Sequence, residues 1–265
     1  MKAKESQVPL LVTAFVGSAR KKHTHRYTAK FLEKLESHGN VDTELVVLSD
    51  YNLKICRGCK LCFEKGEELC PLKDDRDLLL EKIRQSDGVV FASPNYAFQV
   101  SGQMKVFLDR FGFYMHRPDF FGKAYTCLVT QGIYGGKAIV KYLSFVGDSL
   151  GFNRIRGIVL NTLEPMTEKA RRANDRSIDK LCLKYHRVLC KQAYPVPSLF
   201  KLLLYRLSRS TMKIMLDENF RDYTYFTEKG WFESDYYYPV ALNPVKKYLG
   251  RFFDYAGRRM AKAGS

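Results

Sequence analysis

The sequence predicts an α/β protein in which helices cover both faces of one parallel sheet. Two observations predict it. Five short apolar runs rich in β-branched residues lie within the first 160 residues, and helical patterns separate them. Strands that alternate with helices form parallel sheets buried on both faces, and right-handed crossovers turn such a sheet into a doubly wound sandwich. A hydrophobic content of 46% with 27% charged residues is typical of a globular chain.

The individual elements follow from these patterns in chain order. Asp75 and Ser101 each precede a helical pattern and are predicted N-caps. The predicted strands span residues 10–15, 43–48, 88–92, 125–130 and 155–160, and the predicted helices between them span residues 24–36, 76–85, 101–112 and 135–150.

The alternation of strands and helices stops at Met166. Three helices are predicted, over residues 168–192, 198–218 and 243–263, the last with Asn243 as its N-cap and Pro244 as its first residue. A strongly aromatic stretch at 222–239 holds the only tryptophan. We therefore predict one domain over residues 1–165, followed over 166–265 by a helical, aromatic-rich, basic extension that packs on the core or on a dimer partner.

The net charge of +16 is concentrated in this extension, where residues 166–265 carry 20 Lys and Arg against 10 Asp and Glu. The basic residues are dispersed and form no nucleic-acid motif, so a solvated face is favoured and no nucleic-acid partner is expected. The extension has three open interpretations: a dimer interface, a lid over the ligand, or a membrane-surface helix at 198–218. Packing or dimerisation is favoured over membrane contact.

The N-terminus and the cysteine usage bear on location. Lys2 and Lys4 precede an apolar run at 8–19, which superficially resembles a secretion signal, but a buried first strand explains the run better. Clustered thiols indicate a reducing compartment, and no apolar stretch reaches the ~18 residues of a membrane span. We expect a cytoplasmic protein.

Four of the seven cysteines fall in one short segment with the pattern C-x2-C-x2-C-x7-C-P. Loops of this kind hold iron–sulfur clusters, whereas zinc sites usually pair two separated knuckles. Thiols without a metal are a third interpretation, and the spacing alone leaves all three open. The candidate metal ligands are Cys56, Cys59, Cys62 and Cys70.

The loops that follow the first, third and fourth strands carry the chemistry, because ligands bind at the carboxyl ends of strands in such sheets. The first, residues 17–24, combines small residues, hydroxyls and cations before a helix, a pattern that suits a phosphate. The loop at 93–105 offers Tyr96 and Phe98 as flat surfaces, and the loop at 131–136 contains glycines. Together they suit a ligand with a phosphate tail and a flat ring.

These loops resemble those of a known family. Gly-Ser-Ala-Arg-Lys at 17–21 with Thr24 is similar to the G-S-P-R-K phosphate loop of the NADPH-dependent FMN reductase family. Residues 93–110 resemble that family's T-P-x-Y…S-x-x-L-K-x-F-I-D-R segment, and the cysteine run resembles the cluster motif of its iron–sulfur flavoprotein branch. The departures are Ala19 in place of the proline, a shorter loop, and a long gap before Cys70.

The resemblance covers about residues 8–165. It implies a flavodoxin-like fold with strand order 2-1-3-4-5, FMN as the cofactor, NAD(P)H as co-substrate and a homodimer. It further implies an enzyme that passes hydride from nicotinamide to FMN, then electrons to an organic acceptor or to a cysteine-bound 4Fe-4S cluster. The alternative is a non-catalytic iron–sulfur flavoprotein that carries electrons to and from protein partners. No side chain is assigned as a general acid or base. The residues implied in binding the FMN phosphate are Ser18, Arg20 and Thr24, and those flanking its ring are Ser93, Pro94, Asn95, Tyr96, Phe98, Thr130, Gln131, Gly132, Tyr134 and Gly135.

Overall fold

The computed structural model describes residues 8–264 and divides the chain into two compact units. The first unit contains the residues up to Cys56 together with Leu72–Ala193, and the second contains Arg57–Pro71 together with Tyr194–Ser265. The first unit therefore extends beyond the predicted domain boundary at residue 165, to the end of the next helix. Lys2 and Lys4, at the start of the predicted domain, lie outside the described residues.

A parallel sheet forms the centre of the first unit. Its central strand is buried along its whole length, as expected where helices cover both faces. The order of the sheet is β2-β1-β3-β4-β5, with β6 also paired to β4, which confirms the predicted order 2-1-3-4-5. The strands are β1 Leu10–Val16, β2 Val41–Val47, β3 Gly88–Pro94, β4 Ala124–Gln131, β5 Asn153–Arg154 and β6 Ile158–Asn161.

The fifth position of the sheet differs from the prediction. A continuous strand over residues 155–160 is wrong, because two short strands, β5 and β6, pair in turn with β4. Between them, Gly157 approaches β4 so closely that a Cβ atom would lie 2.3 Å from Cys127 Sγ and 2.4 Å from Cys127 O. This close backbone approach interrupts the ladder, and sequence periodicity does not report it.

Helices flank this sheet and build the second unit. No helix in the described part of the chain is long and apolar enough to cross a membrane. Numbered along the chain, the helices are α1 His23–Glu36, α2 Leu61–Glu64, α3 Arg76–Gln85, α4 Gly102–Arg110, α5 Gly136–Ser149, α6 Glu168–Leu189, α7 Leu199–Met215, α8 Arg221–Glu228 and α9 Pro244–Gly264.

Helix α6 closes the first unit. Its buried side chains include Ile178, Leu181 and Tyr185, which join the core formed by β1, β3 and β4. The phenol of Tyr185 donates to the carbonyl oxygens of Val89 and Ala124, both at 3.4 Å. These contacts place the helix within the sheet unit, although it follows the last strand.

Two of the three predicted helix caps are confirmed. Ser101 Oγ accepts from Met104 N at 3.2 Å, and Asn243 Oδ1 accepts from Lys246 N at 2.9 Å. Asp75 occupies the N-cap position of α3, but its side chain makes no cap hydrogen bond. Its carboxylate accepts instead from Asn52 N at 2.7 Å, which joins two loops of the first unit.

Aromatic residues form the core of the second unit. The single tryptophan, Trp231, packs edge-on against Phe226 with ring centroids 5.0 Å apart and donates its indole N–H to Tyr237 O at 2.9 Å. Tyr205 of α7 donates to Trp231 O at 2.6 Å. The aromatic stretch of the predicted extension therefore supplies internal packing, and the polar tips of Trp231 and Tyr205 both have hydrogen-bond partners.

Candidate functional site

The candidate site lies in the first unit, at the carboxyl edge of its sheet. The register pairs Val16 with Ala92 and Pro94 with Thr130, so β1, β3 and β4 end next to one another. The three loops singled out in the sequence leave the sheet at this edge. In open α/β sheets, this edge beside the topological switch point is where ligands bind.

The loop after β1 turns tightly before α1. Gly17 N donates to Ala92 O at 2.8 Å, which holds the start of the loop against β3. Ser18 is buried, and its hydroxyl donates to Arg20 O at 3.0 Å. Arg20 itself is exposed, with its guanidinium 3.4 Å from the Tyr96 hydroxyl. The serine thus shapes the loop, and the arginine leaves its positive charge on the surface of the edge.

Helix α1 begins directly after this loop and directs its N-terminus toward the edge. The first N–H groups of a helix have no acceptor within the helix, and together with the helix dipole they attract anions. Thr24 lies in the first turn, buried, with its hydroxyl 2.7 Å from that of Thr130 at the end of β4. This hydrogen bond fixes the helix start relative to the sheet edge.

A strained turn follows β3. Tyr96 and Gln99 exchange backbone hydrogen bonds of 3.1 and 3.0 Å across a tight reversal. The two central residues, Ala97 and Phe98, have φ values of 47° and 62°. Two successive left-handed residues define a type I′ turn, which normally requires glycine or asparagine. Each non-glycine residue there costs about 1–2 kcal/mol, and such strain concentrates at functional sites.

The strained turn displays an aromatic pair. The rings of Phe98 and Tyr134 stack with centroids 5.1 Å apart and an interplanar angle of 30°. Both side chains are exposed, as is Tyr96 beside them. Three accessible rings at the mouth of one sheet edge offer stacking surface for a planar ligand.

Asn95 connects the strained turn to the loop after β4. Its backbone N donates to Thr130 O at 2.8 Å, and its side-chain Nδ2 donates to Tyr134 O at 2.8 Å. No donor in the described part of the chain reaches its buried Oδ1. A buried acceptor without a donor costs about 1–3 kcal/mol, and a donor that reached this oxygen would remove that cost.

The loop after β4 is held by a glutamine and a glycine. Gln131 Oε1 accepts from Gly136 N at 2.7 Å, and its Nε2 donates to Ile133 O at 3.2 Å. Gly135 adopts φ +97°, and a Cβ atom there would lie 2.9 Å from Phe98 Cδ1 and 3.0 Å from Asn95 Nδ2. The glycine is required for both reasons: its backbone angle and the proximity of the loop after β3.

Two further residues at this edge were not predicted. Asn161, at the end of β6, accepts from Gln131 Nε2 at 2.7 Å. Glu164 lies 2.6 Å from His23 Nε2 at the start of α1, and the hydrogen bond with His23 lowers the pKa of that carboxyl. Asn161 ends the last strand and Glu164 follows it, so a search for polar residues at and after the end of every strand, β6 included, would have found them.

The predicted flavin-site residues thus divide into two groups. One group reinforces the edge from within through hydrogen bonds or burial, and the other faces outward from it. The first group contains Ser18, Thr24, Ser93, Pro94, Asn95, Thr130 and Gln131, and the second contains Arg20, Tyr96, Phe98, Gly132, Tyr134 and Gly135.

Ser93 shows how the inner group acts. Its hydroxyl donates to Pro94 O at 2.9 Å and accepts from Ser101 N at 3.0 Å, which closes the base of the loop after β3. The side chain is fully buried. It therefore positions the residues that line the site and presents no surface itself.

The cysteine segment does not form a ligand set for a metal in this structure. Cys56 and Cys59 are exposed, and Cys62 and Cys70 are partly buried. Between residues 8 and 264, no three Cys, His, Asp or Glu side chains converge closely enough to hold a metal ion. As arranged here, the four thiols do not fit a cluster, and a metal site at these residues stays a prediction.

The doubly wound sheet, with its strand order 2-1-3-4-5 and a helix start and aromatic rings at its carboxyl edge, defines a protein of the flavodoxin-like class. The particular family follows from comparison. The chain belongs to the NADPH-dependent FMN reductase family, whose model matches residues 10–163. This confirms the family recognised from the loop motifs.

Known proteins agree with this placement. An iron-sulfur flavoprotein from Archaeoglobus fulgidus is 39% identical over 109 residues, which cover 41% of this chain and 44% of that relative, so the match spans less than half of its length. An NAD(P)H:quinone oxidoreductase from Methanothermobacter marburgensis has a similar structure, with a TM-score of 0.52, 17% identity, and coverage of 68% of this chain and 97% of that one. RosB, solved with bound 8-demethyl-8-formylriboflavin 5′-phosphate, is also similar in structure, with a TM-score of 0.56 at 15% identity. The match covers 89% of this chain and 92% of the RosB chain. These structural likenesses show the fold.

The residues at the sheet edge fit FMN. The start of α1 and the exposed Arg20 suit the phosphate, and Asn95 Oδ1 suits a donor on the ring edge. Tyr96, Phe98 and Tyr134 are exposed at the same edge and suit the ring itself.

Proposed function

We propose that the protein is an FMN-dependent oxidoreductase that takes hydride from NAD(P)H and delivers electrons to an organic acceptor such as a quinone. The observation that carries the proposal is the buried Asn95 Oδ1, for which the described chain provides no donor, at the edge where the loops of the family motif meet. Family membership supports FMN and a nicotinamide nucleotide as the ligands.

When bound, FMN would supply the redox chemistry, accepting a hydride from the nicotinamide and releasing two electrons to the acceptor. The protein's part is positioning. Arg20 and the start of α1 would hold the phosphate, while Asn95 would accept a hydrogen bond from the ring edge. Phe98 and Tyr134 would bound one side of the ring and limit access of water. Hydride transfer itself requires no general acid or base.

The test begins with the purified protein and its flavin content. Anaerobic addition of NADPH or NADH should bleach the visible flavin absorption, and addition of a quinone should restore it without any protein partner. Flavin that neither nucleotide reduces would overturn the proposal in favour of a non-catalytic electron carrier. If the protein binds no FMN on reconstitution, the assignment of the sheet edge as a flavin site would be overturned.

A pair of arginine variants tests the phosphate assignment. Arg20→Gln should weaken FMN binding about 10- to 150-fold, because a charge-assisted hydrogen bond to phosphate contributes about 1.5–3 kcal/mol. The variant should leave the affinity for riboflavin, which lacks the phosphate, unchanged. Arg187→Gln is the matched control, since Arg187 is also exposed but lies in the last turn of α6. Equal losses for FMN and riboflavin would contradict the assignment.

The cysteine segment supports a second candidate function, an iron–sulfur flavoprotein that carries single electrons. Its basis is the spacing of the four cysteines and the similarity to relatives named iron-sulfur flavoproteins. Anaerobically purified protein should then contain about four irons and matching sulfide per chain. Cys62→Ser should lower the iron content while leaving FMN binding intact. Protein that contains flavin but no iron would contradict this second candidate and leave the FMN-dependent reductase as the proposed function.

Two further expectations, about oligomeric state and cellular location, belong to the same proposal. We expect a homodimer, which sedimentation velocity of the flavin-loaded chain measures directly. We also expect a cytoplasmic location, because clustered thiols suit a reducing compartment.

A further inference from the structure

Helix α9 in the second unit has one buried face and, on its opposite side, an exposed apolar face. The buried face consists of Gly250, Asp254, Gly257 and Ala261. Its small residues allow α7 to approach closely, since a Cβ atom at Gly257 would lie 3.0 Å from Leu207 O. This face accounts for the attachment of the helix within its unit, and it leaves the remainder of the helix surface accessible.

The opposite face of α9 carries an exposed aromatic stripe, formed by Val245, Tyr248, Phe252 and Tyr255. Their spacing of three, four and three residues places them in one row along the helix, turned roughly half a revolution from the buried face. Tyr248 is 74% exposed and Phe252 is 58% exposed. Large apolar side chains gathered in one row on a surface indicate an interaction site.

One side of the aromatic stripe carries the exposed cations Lys247, Arg251 and Arg258, as helical spacing shows. Helix α9 contains six Lys and Arg residues and one acidic residue, Asp254. That carboxylate is buried, where it accepts hydrogen bonds from Arg206 at 2.9 Å and from Arg209 at 2.7 and 3.0 Å. This carboxylate is therefore already paired with two arginines of α7. The cations of the helix are Lys246, Lys247, Arg251, Arg258, Arg259 and Lys262.

We infer that the aromatic stripe of α9 docks on an anionic lipid surface, with the helix lying in the plane of the interface. A helix with Tyr and Phe on one side and Lys and Arg beside them is the type that inserts shallowly among lipid head groups. Each cation near such a surface strengthens binding about fivefold. A second copy of the chain is disfavoured as the occupant, because stripe-to-stripe pairing would bring two sets of like charges together.

This surface belongs to the second unit, and the inference does not depend on the proposed function. It also differs from the earlier prediction, which placed any membrane contact on the helix at 198–218 and favoured packing. The aromatic core of the second unit satisfies the packing role, and α9 keeps its exposed row in addition to its buried one.

The test is cosedimentation of the full, flavin-loaded chain with vesicles of phosphatidylcholine alone or mixed with phosphatidylglycerol. We expect binding to the mixed vesicles that weakens as salt is raised. The double variant Tyr248→Ser, Phe252→Ser should reduce binding about tenfold or more, because it removes most of the inserted apolar area. Leu78→Ser, a change at an exposed leucine of α3 in the first unit, should leave it unaltered.

A charge series separates attraction from insertion. Replacing Lys247, Arg251 and Arg258 by Gln should reduce binding about 100-fold, from about fivefold per cation. The matched control carries the same loss of three charges on α6 and should bind as the unaltered chain does. The control positions are the exposed Lys169, Arg176 and Lys180.

Three results would overturn the inference. One is an equal affinity for neutral and mixed vesicles, and another is no binding to either. The third is a Tyr248, Phe252 variant that no longer forms a dimer in sedimentation velocity but still binds vesicles as the unaltered chain does. That result would assign the aromatic stripe to contact with a second copy of the chain. Thermal unfolding and FMN content of every variant show that the fold is intact.

Discussion

Replacement of Asn95 by alanine tests the flavin site through the unpaired oxygen. In the flavin-free protein the change removes one hydrogen bond, Nδ2 to Tyr134 O at 2.8 Å, worth about 0.5–1.5 kcal/mol. It also removes a buried acceptor without a donor, which costs about 1–3 kcal/mol. The stability lost with the hydrogen bond is equal to or smaller than the stability gained by removing the unsatisfied oxygen. The flavin-free variant should therefore be at least as stable as the unaltered chain.

The same change should weaken FMN binding, because in the complex the oxygen would accept a hydrogen bond from the ring. The loss of about 1–3 kcal/mol corresponds to about a 5- to 150-fold weaker affinity. Titration of the flavin-free protein followed by flavin fluorescence measures the affinity, and urea unfolding measures the stability.

A second asparagine provides the control. Asn153 donates to Gly122 O at 3.2 Å and to Ala193 O at 2.6 Å. Asn153→Ala should therefore lower the free energy of unfolding by about 1 kcal/mol while the FMN affinity stays the same. An unchanged FMN affinity in Asn95→Ala, or a flavin-free variant that loses stability as the Asn153 variant does, would refute the reasoning.

Two further predictions concern backbone strain and buried charge. Gly135→Ala should lower both FMN affinity and thermal stability, by about 1–3 kcal/mol, because it places an alanine at a left-handed φ and brings its Cβ within 2.9 Å of Phe98. Gly132→Ala is the control. The nearest atom there is 3.9 Å away, so this variant should be near neutral in the same melting and titration assays. Asp74 is fully buried beside Arg110; burial acts to raise its pKa, but the hydrogen bonds from Arg110 and from backbone N–H groups outweigh this and lower it below 3.8. Its stabilising effect should therefore be complete above pH 3.8 and lost as the pH falls through the lowered value. Asp74→Asn should cost about 3–5 kcal/mol at neutral pH in urea unfolding, and a deficit that stays the same down to about pH 2 would contradict the ion pair.

Much of the fold could be predicted because the signals are local. The strands β1, β3 and β4 were predicted to within two residues, since each is a continuous apolar run. The fifth strand was predicted as one piece, because the contact between Gly157 and Cys127 that divides it joins residues far apart in sequence.

The candidate site shows the same division. Loops after β1, β3 and β4 were singled out from their composition and from the fold rule that brings them together. The sequence did not indicate that Ser93 and Thr130 would be occupied in internal hydrogen bonds, or that Asn161 would support the same edge. A hydroxyl's partner depends on the register of neighbouring strands, which residue types alone do not encode.

By itself, the sequence determined the class of the protein: periodicity defined the alternating elements, and the loop motifs defined the family and its ligand. Only the tertiary structure decided how the parts are used. It joined Thr24 to Thr130 across 106 residues, placed Ala97 and Phe98 in a strained turn, and left one carbonyl oxygen of Asn95 without a donor in the described chain. It also grouped residues 57–71, with three of the four clustered cysteines, with the second unit, whereas the sequence had assigned all residues up to 165 to one domain. The reason is physical: periodicity and motifs arise from neighbours a few residues apart, whereas partners, strain and unpaired groups arise where distant segments meet.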